Sequence, residues 1–344
     1  MLNKLLLSVF CFFSLVNTAF SQQIEKDGLV KWLTFKEAQE KNKVLQKPFL
    51  VDIYTDWCGW CKHMMKTTYS NKGIADYINA NFYAVKFDAE TKDTLEYNGK
   101  IYKPTSLEPK TPHELAIKFL GNSLSYPSTM FITNNYEYNL LTQGFLEDKK
   151  IEPILIFMVE NAWRTSIFDE FNKHFTHTFI DTNFSKGKIT MYSINDIEKL
   201  QKKKPKKIIV SIGANFCNTC KVVAKTTFVD TCIANYLNKN FYFVNFNAES
   251  TDTVVFKNVK YFNQLVNNYP LHNLALKLTN NKFSLPSMCL LDEQFNIIDV
   301  LNFYQSPIQM KPILYFIGSD SYKTKKWTDF ITEYSKQPVN LNKK

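Results

Sequence analysis

The sequence has few glycines and cysteines, and it lacks the motifs of several large protein classes. Only 9 Gly and 7 Cys occur among 344 residues, which excludes a collagen-like repeat and a dense disulfide scaffold. Heptad repeats are missing, and a mean hydropathy of −0.26 does not fit a multi-span membrane protein. A glycine-rich phosphate loop, a nucleotide fingerprint and a Ser-His-Asp arrangement are also missing. These absences leave a globular chain that carries no obvious cofactor motif.

Aromatic residues are abundant in this chain. It contains 29 Phe and 18 Tyr, and 45% of its residues are hydrophobic, so disorder is excluded for most of its length. At roughly 100–200 residues per domain, the length leaves room for two hydrophobic cores.

The first 21 residues have the layout of a secretory signal peptide. A basic start at residues 1–4 precedes an uncharged apolar run at 5–16, and the small residues Ala19 and Ser21 suit cleavage near Ser21. The apolar run is short for a membrane span, although an uncleaved anchor is the alternative. We therefore predict a secreted or periplasmic protein that has no transmembrane segment after cleavage.

The rest of the chain contains one unit twice. Residues 74–90 and 233–249 are identical at eleven of seventeen positions, at an offset of 159. The same offset relates the pairs Cys58/Cys217 and Cys61/Cys220 without a gap. A constant offset over so long a stretch of sequence predicts a duplicated domain. We place the first domain at 22–175 and the second at 176–344.

Each repeat predicts an α/β domain with a mixed sheet flanked by helices. An apolar run at 48–54 is typical of a strand buried on both faces. In the first repeat the pattern continues with a helix at 61–77, a strand at 81–87, a polar insert at 93–111, a helix at 113–120, a strand pair at 128–133 and 137–143, and a closing helix at 151–164.

The Cys58–Cys61 spacing follows a predicted strand and begins a predicted helix. At a helix N-terminus, unpaired amides and the dipole stabilise a thiolate, which is the attacking species in disulfide exchange. Cys61, one turn along, is placed to resolve the mixed disulfide. Half a zinc site has the same spacing, but Cys217 and Cys220 are too distant in sequence for a typical structural zinc site. We predict no metal.

With these residues the first repeat resembles the thioredoxin family, and the resemblance covers both repeats. The family's active-site motif is matched by Trp57-Cys58-Gly59-Trp60-Cys61, its buried acid and neighbouring lysine by Asp52 and Lys86, its cis-proline turn by Tyr126-Pro127-Ser128, and the glycine after its hairpin by Gly144. The resemblance implies two tandem thioredoxin-like domains. It also implies substrate contacts through Trp57, Trp60, Tyr126 and Pro127.

Asp52 and Lys86 are the candidate proton-handling residues. A carboxylate buried behind the cysteines has a raised pKa and can take the proton of Cys61 as that thiol attacks, while Lys86 limits the rise. Trp60 departs from the family pattern, because the best-known thioredoxins have proline there. Gly-Trp between the cysteines is similar to secreted and envelope thioredoxin-like proteins of bacteria, and it leaves the redox direction open.

The second repeat keeps its cysteines and loses their surroundings. Cys217, Cys220 and Pro286 are retained. The positions of Asp52, Lys86, Trp57 and Gly144 hold Ser211, Asn245, Phe216 and Phe303. We therefore predict that Cys58–Cys61 is the main redox centre. Cys217–Cys220 is then either an auxiliary centre or a structural disulfide.

Two cysteines and two histidines have no clear role. Cys232 and Cys289 are expected to be buried thiols, with a bridge between them as the alternative. His174 and His177 have a spacing that suits a metal, but no third ligand is near in sequence, and we expect a linker there.

These observations predict a thiol–disulfide oxidoreductase, either a reductase or an isomerase. Its partners are protein disulfide substrates and a redox partner protein, and it needs no cofactor. The alternative is a binding or chaperone-like module that uses the thioredoxin fold with structural disulfides. A reduction potential for each pair would separate the two.

The net charge of +10 is concentrated in one repeat. Residues 22–175 carry 19 Lys and Arg against 20 Asp and Glu, whereas residues 176–344 carry 22 against 12. This asymmetry disfavours a nucleic-acid partner for the whole chain. It leaves the expectation that the second domain contacts acidic partners or anionic envelope surfaces.

Overall fold

The computed structural model describes residues 28–121, 123–179, 187–266 and 269–336. The predicted signal peptide and its cleavage near Ser21 lie outside these residues. The chain divides into two compact units, Met1–Val159 and Glu160–Lys344. The domain boundary predicted between residues 175 and 176 falls within a helix of the second unit, Phe168–Phe179, and it stays a prediction.

Helices and strands alternate along the first unit in the predicted α/β order. Its helices are α1 (Phe35–Val44), α2 (Gly59–Lys66), α3 (Lys72–Asn81), α4 (Glu114–Leu120) and α5 (Asp148–Val159). Its strands are β1 (Phe49–Tyr54), β2 (Tyr83–Asp88), β3 (Leu95–Tyr97), β4 (Lys100–Tyr102), β5 (Ser128–Ile132) and β6 (Asn139–Gln143).

Four of these strands form the mixed sheet that was predicted. Their order is β2-β1-β5-β6, with β1 and β2 parallel and the other pairs antiparallel. The central strand β1 is buried along almost its whole length because helices cover both faces of the sheet. The remaining pair, β3 and β4, forms a hairpin inside the polar insert.

The second unit contains the same order of elements, with an additional antiparallel strand pair and an additional helix at each end. Its helices are α6 (Phe168–Phe179), α7 (Ile197–Lys203), α8 (Asn218–Lys225), α9 (Thr231–Asn240), α10 (Asn273–Leu278), α11 (Pro307–Gly318) and α12 (Trp327–Lys336). Its strands are β7 (Lys207–Gly213), β8 (Phe241–Asn247), β9 (Val254–Phe256), β10 (Val259–Tyr261), β11 (Asn263–Val266), β12 (Tyr269–His272), β13 (Ser287–Leu291) and β14 (Ile297–Asn302).

The sheet of the second unit repeats that of the first. The order β8-β7-β13-β14 matches β2-β1-β5-β6 strand for strand, with β7 and β8 parallel and the other pairs antiparallel. His113 and His272, which are related by the same offset of 159, are the N-caps of α4 and α10. The predicted fold class, two tandem α/β units with central mixed sheets, is therefore confirmed.

The helices differ from the sequence prediction at two places. The helix expected over 61–77 is divided at Thr67, which has φ −109° and ψ −85°, and whose hydroxyl donates to the carbonyl of His63 at 2.9 Å. The chain then makes one turn at Thr68–Ser70 before α3. The closing helix ends at Val159 instead of 164. Among the described residues, no helix is both long enough and apolar enough to span a bilayer.

Candidate active site

The first cysteine pair lies where β1 leads into α2. Cys58 is the N-cap of α2; its N–H donates to the carbonyl of Thr55 at 3.1 Å, and its Sγ accepts from the N–H of Cys61 at 3.0 Å. The cysteines form a disulfide and are 4% and 3% exposed, so their burial does not indicate which of them attacks the substrate. Their position in the helix does indicate it, because Sγ of Cys58 lies at the positive end, where a thiolate is stabilised.

Asp52 lies in β1, in register with Lys86 of β2 and Thr129 of β5. Its side chain is 1% exposed, and neither carboxylate oxygen accepts a well-formed hydrogen bond from the described residues. Burial raises the pKa of Asp52 to about 7, and the charge of Lys86 and the nearby Tyr69 hydroxyl oppose part of that rise. The group is therefore poised to gain or lose a proton near neutral pH.

A cavity of about 290 Å³ opens beside this pair. Cys61, Thr55 and Lys86 all contribute to its lining. Lys86 is the register partner of Asp52, and its Nζ lies 5.3 Å from the ring centre of Tyr54. The cavity therefore lies beside both Cys61 and the lysine that pairs in register with Asp52.

Three of the four predicted substrate-binding residues come together next to Cys58. Trp57 is 56% exposed, its Nε1 donates to Glu90 Oε1 at 2.9 Å, and its ring centre lies 6.0 Å from that of Tyr126. The Tyr126–Pro127 peptide is cis, as predicted, and the Pro127 carbonyl accepts from the N–H of Gly144 at 2.8 Å. Their role in binding substrate stays a prediction.

Trp60, the fourth, belongs to a separate aromatic group. It is 62% exposed, and its ring centre lies 5.5 Å from that of His63 and 5.7 Å from that of Phe145. His63 and Phe145 complete the group at 5.1 Å from each other. The cysteine pair is therefore flanked by two exposed aromatic surfaces, one through Trp57 and one through Trp60.

The second cysteine pair occupies the equivalent place between β7 and α8. Cys217 is the N-cap of α8, 2% exposed, and forms a disulfide with Cys220. The Leu285–Pro286 peptide is cis. Ser211 and Asn245 pair in register where the first unit has Asp52 and Lys86.

Glu160 provides a carboxylate in the second unit that the sequence does not reveal. Its Oε1 accepts from the N–H of Asn218 at 3.1 Å, and its Oε2 accepts from the N–H and hydroxyl of Thr219 at 2.7 and 2.6 Å. Oε2 lies 3.8 Å from Sγ of Cys217. This carboxylate therefore occupies the N-terminus of α8 beside the cysteine.

The remaining cysteines and histidines do not extend either site. Cys289 is a buried thiol, and burial raises its pKa to about 12. Cys232 is half-buried, and the alternative bridge between these two cysteines is not formed. The linker expected around His174 is wrong: His174 and His177 lie in α6, where His174 Nδ1 bonds to the hydroxyl of Tyr304. The described residues contain no group of three or more candidate metal ligands.

Some site residues could be found from the sequence and others could not. Glu90 could have been found, because it is retained at the end of the repeated segment 74–90 as Glu249. Glu249 accepts from the N–H of Asn215, close to the second cysteine pair. Glu160 carried none, because 58 residues separate it from Asn218. Tyr69 lay within a predicted helix and gave no sign of its place near Asp52.

The sheet order, cis-proline turns and helix-capping cysteine pairs define a thioredoxin-fold protein with a CxxC disulfide in each of two units. The family model Thioredox_DsbH, described as a protein of unknown function, DUF255, matches residues 16–106 and 188–285. Because the two matches together span more than half of the chain, the chain belongs to this family. This confirms the thioredoxin-superfamily resemblance.

Solved structures of similar proteins match parts of the chain. A thioredoxin-fold protein from Helicobacter pylori is 19% identical, with a TM-score of 0.29, and the match covers 47% of this chain and 93% of that one. A DsbH oxidoreductase is 17% identical (TM-score 0.26; 36% and 81% covered). A disulphide isomerase from Xylella fastidiosa Temecula1 is 21% identical (TM-score 0.23; 40% and 86% covered). The fold assignment rests on the family match and the topology, not on these values.

Among curated proteins, a short stretch is similar to the uncharacterized protein B0495.5 of Caenorhabditis elegans. The two are 33% identical over 61 residues, which is 18% of this chain and 8% of that protein. The chain thus matches less than a tenth of that relative's length.

Proposed function

We propose that this chain is a thiol–disulfide oxidoreductase of the cell envelope that reduces or isomerises protein disulfides through Cys58–Cys61. The observation that carries the proposal is Asp52. A carboxyl group that is fully buried, lacks a well-formed hydrogen bond and has a pKa of about 7 costs stability. Its position in the strand leading to the pair gives that cost a catalytic purpose.

The proposed chemistry balances within the pair and its substrate. The Cys58 thiolate attacks one sulfur of a substrate disulfide, forming a mixed disulfide and releasing the other sulfur as a thiolate, which takes up a proton. Cys61 loses its proton to Asp52 and attacks Cys58 Sγ, which frees the second substrate sulfur. The substrate gains two electrons, and the pair becomes the disulfide described here. A redox partner protein returns the electrons, without a cofactor.

Serine variants of the two pairs test this function. We expect Cys58→Ser/Cys61→Ser to abolish insulin reduction by the full-length mature protein. The matched variant Cys217→Ser/Cys220→Ser is expected to keep most of the activity. Equal losses from the two variants would contradict the proposal that the first pair is the main centre.

The envelope location rests on the residues that precede the described ones. A basic start at 1–4 and an apolar run at 5–16 favour export, with cleavage near Ser21. The mass of the protein recovered from the periplasm of an expression host tests this. A product that keeps residues 1–21 in the cytoplasmic fraction would rule it out.

The second domain contributes a basic surface to the proposal. Its excess of Lys and Arg favours contact with acidic partners or anionic envelope surfaces. Retention of the full chain on anionic vesicles should fall as salt is raised, because exposed charges are screened. Salt-independent retention would exclude this contact.

A binding or chaperone-like role is the second candidate, and one observation favours it for the second unit. Phe262, Leu265 and Tyr269 are 52%, 75% and 67% exposed, and the ring centre of Tyr269 lies 6.2 Å from that of Phe216. Exposed apolar side chains of this size mark contact surfaces. Suppression of insulin aggregation by a variant without both cysteine pairs would support this role.

A further inference from the structure

One carboxylate accepts from the first two amides of α8. Glu160, the first residue of the second unit, accepts three hydrogen bonds from Asn218 and Thr219, at 3.1, 2.7 and 2.6 Å. The amides of the first helical turn have no partner within their own helix, so they are the groups that normally stabilise an anion there. In α8 the amides of Asn218 and Thr219 are taken by Glu160, and only the N–H of Cys220 donates to Sγ of Cys217, at 3.1 Å.

The first unit lacks an equivalent carboxylate. Among its described residues, no side chain is seen to accept from the amides of Gly59 and Trp60, which hold the positions of Asn218 and Thr219 at the start of α2. Those amides remain available to a thiolate on Cys58. The two equivalent helix N-termini therefore differ: the one in α8 is occupied by a carboxylate, and the one in α2 is not.

The negative charge of Glu160 also acts on the cysteine directly. Oε2 lies 3.8 Å from Sγ of Cys217, and two like charges at that distance repel strongly where water is largely excluded. Cys217 is 2% exposed. Repulsion and the occupied amides both disfavour the Cys217 thiolate.

We propose that Glu160 is a positioning residue that holds Cys217–Cys220 in its disulfide form by denying Cys217 the thiolate state. Reduction of this S–S bond takes two electrons and two protons from a dithiol reductant, which becomes a disulfide. A small-molecule or protein thiolate must approach past the Glu160 charge, and Cys217 must leave as the disfavoured thiolate. Both steps are slowed.

Three further charged residues belong to the segments around Cys217. Glu249 adds a second carboxylate, which accepts from the N–H of Asn215 at 2.6 Å. Lys221 begins the next turn of α8. On the face covered by α6, Lys225 bonds to the carbonyl of Thr178, towards the other end of α8.

Arg164 lies in the segment after Glu160 and is engaged elsewhere. Its guanidinium stacks on Trp163 at 4.4 Å and lies 5.5 Å from the ring centre of Phe303. No cation among the described residues is seen to form an ion pair with Glu160.

Substitution of Glu160 by glutamine tests the proposal in the full-length mature protein. The protein is reduced and then alkylated with iodoacetamide across a pH series, and tandem mass spectrometry quantifies Cys217. Because Glu160→Gln keeps the shape and one acceptor but removes the charge, the midpoint of the Cys217 profile should fall by about one pH unit. Cys58 in the same sample should keep its midpoint.

Further variants keep the test decisive. Glu333→Gln removes an exposed carboxylate of the same unit that pairs with Lys325, and it should leave the Cys217 midpoint unchanged. Thr219→Val removes the hydroxyl that holds Oε2 and should lower the midpoint by a smaller amount, while Glu160→Asp should retain part of the effect.

An unchanged Cys217 midpoint in Glu160→Gln would show that Glu160 is only a helix cap. A raised midpoint would show that it is a base. Either result overturns the proposal, and neither depends on whether Cys58–Cys61 is the active pair.

Discussion

The two units place a carboxylate on different sides of the same motif. In the first, Asp52 lies in the strand that leads to the cysteines, buried and without a well-formed hydrogen bond. In the second, that strand carries Ser211, and Glu160 instead caps the helix that begins with the cysteine pair. A carboxyl poised near neutral pH can move protons, whereas a charged carboxylate beside the attacking sulfur suppresses it. From this comparison we propose that one fold holds a reactive disulfide in the first unit and an unreactive one in the second.

The largest expected difference between the units is the pH dependence of stability that Asp52 gives to the first unit. Below pH 4 the group is neutral in the folded and unfolded chain, and it contributes nothing. As pH rises from about 4 to 7, only the unfolded chain ionises, so stability falls, and above pH 7 the folded chain carries the cost of a buried charge. Asp52→Asn should therefore stabilise the first unit increasingly from pH 4 to 7, by up to about 4 kcal/mol.

Hydrogen exchange of β1 peptides at pH 5 and pH 8 measures this effect in the oxidised protein. Ser211→Ala in β7 is the matched control, since Ser211 does not titrate, and it should show no such pH dependence. A gain from Asp52→Asn that is the same at both pH values would contradict a raised pKa for Asp52.

Trapping of substrate should separate the two cysteine pairs. In Cys61→Ser, the Cys58 thiolate still attacks but the mixed disulfide cannot be resolved, so the adduct accumulates. In Cys220→Ser, Glu160 disfavours the attacking thiolate, and we expect about tenfold less adduct at neutral pH. Mass spectrometry of reduced variants mixed with oxidised insulin measures both. Comparable amounts of adduct would remove the distinction between the pairs.

Backbone strain differs between the units at one matched position. Gly144 has φ +91° in the first unit, whereas Phe303 keeps a similar conformation with φ +67° in the second. A side chain in this region costs about 1 kcal/mol or more. Phe303→Gly should stabilise the second unit by about that amount, and Gly144→Ala should destabilise the first similarly.

Urea unfolding of the two variants measures this difference. A Cβ at Gly144 meets no heavy atom within 4 Å, so any loss in Gly144→Ala comes from backbone conformation and not from a clash. Destabilisation by Phe303→Gly would mean that the contact of Phe303 with Arg164 outweighs the strain.

The smallest expected effect is on the KM for insulin, and it comes from the aromatic residue that precedes each cysteine pair. Trp57 contacts Tyr126 of the cis-proline turn, so Trp57→Ala should raise the KM for insulin about threefold, as loss of one partly exposed aromatic contact would. Phe216→Ala, the same change in the second unit, should leave the KM unchanged. A kcat effect without a KM effect would place Trp57 in positioning Cys58 instead of binding.

The sequence was sufficient for the parts of the fold that depend on local pattern. The apolar strand before each CxxC and the hairpin β5–β6 both follow from short segments. The break after α2 did not, because no glycine or proline marks the sequence at Thr67–Ser70. The Glu160 contact did not either, since distant segments meet there only in the folded unit.

Differential reduction of the two disulfides in one molecule tests the central claim most directly. The oxidised full-length protein is treated with dithiothreitol at pH 7 and quenched with acid at intervals, and each pair is quantified by mass spectrometry. We predict that Cys58–Cys61 is reduced about tenfold faster than Cys217–Cys220. Equal rates, or faster reduction of Cys217–Cys220, would contradict the account.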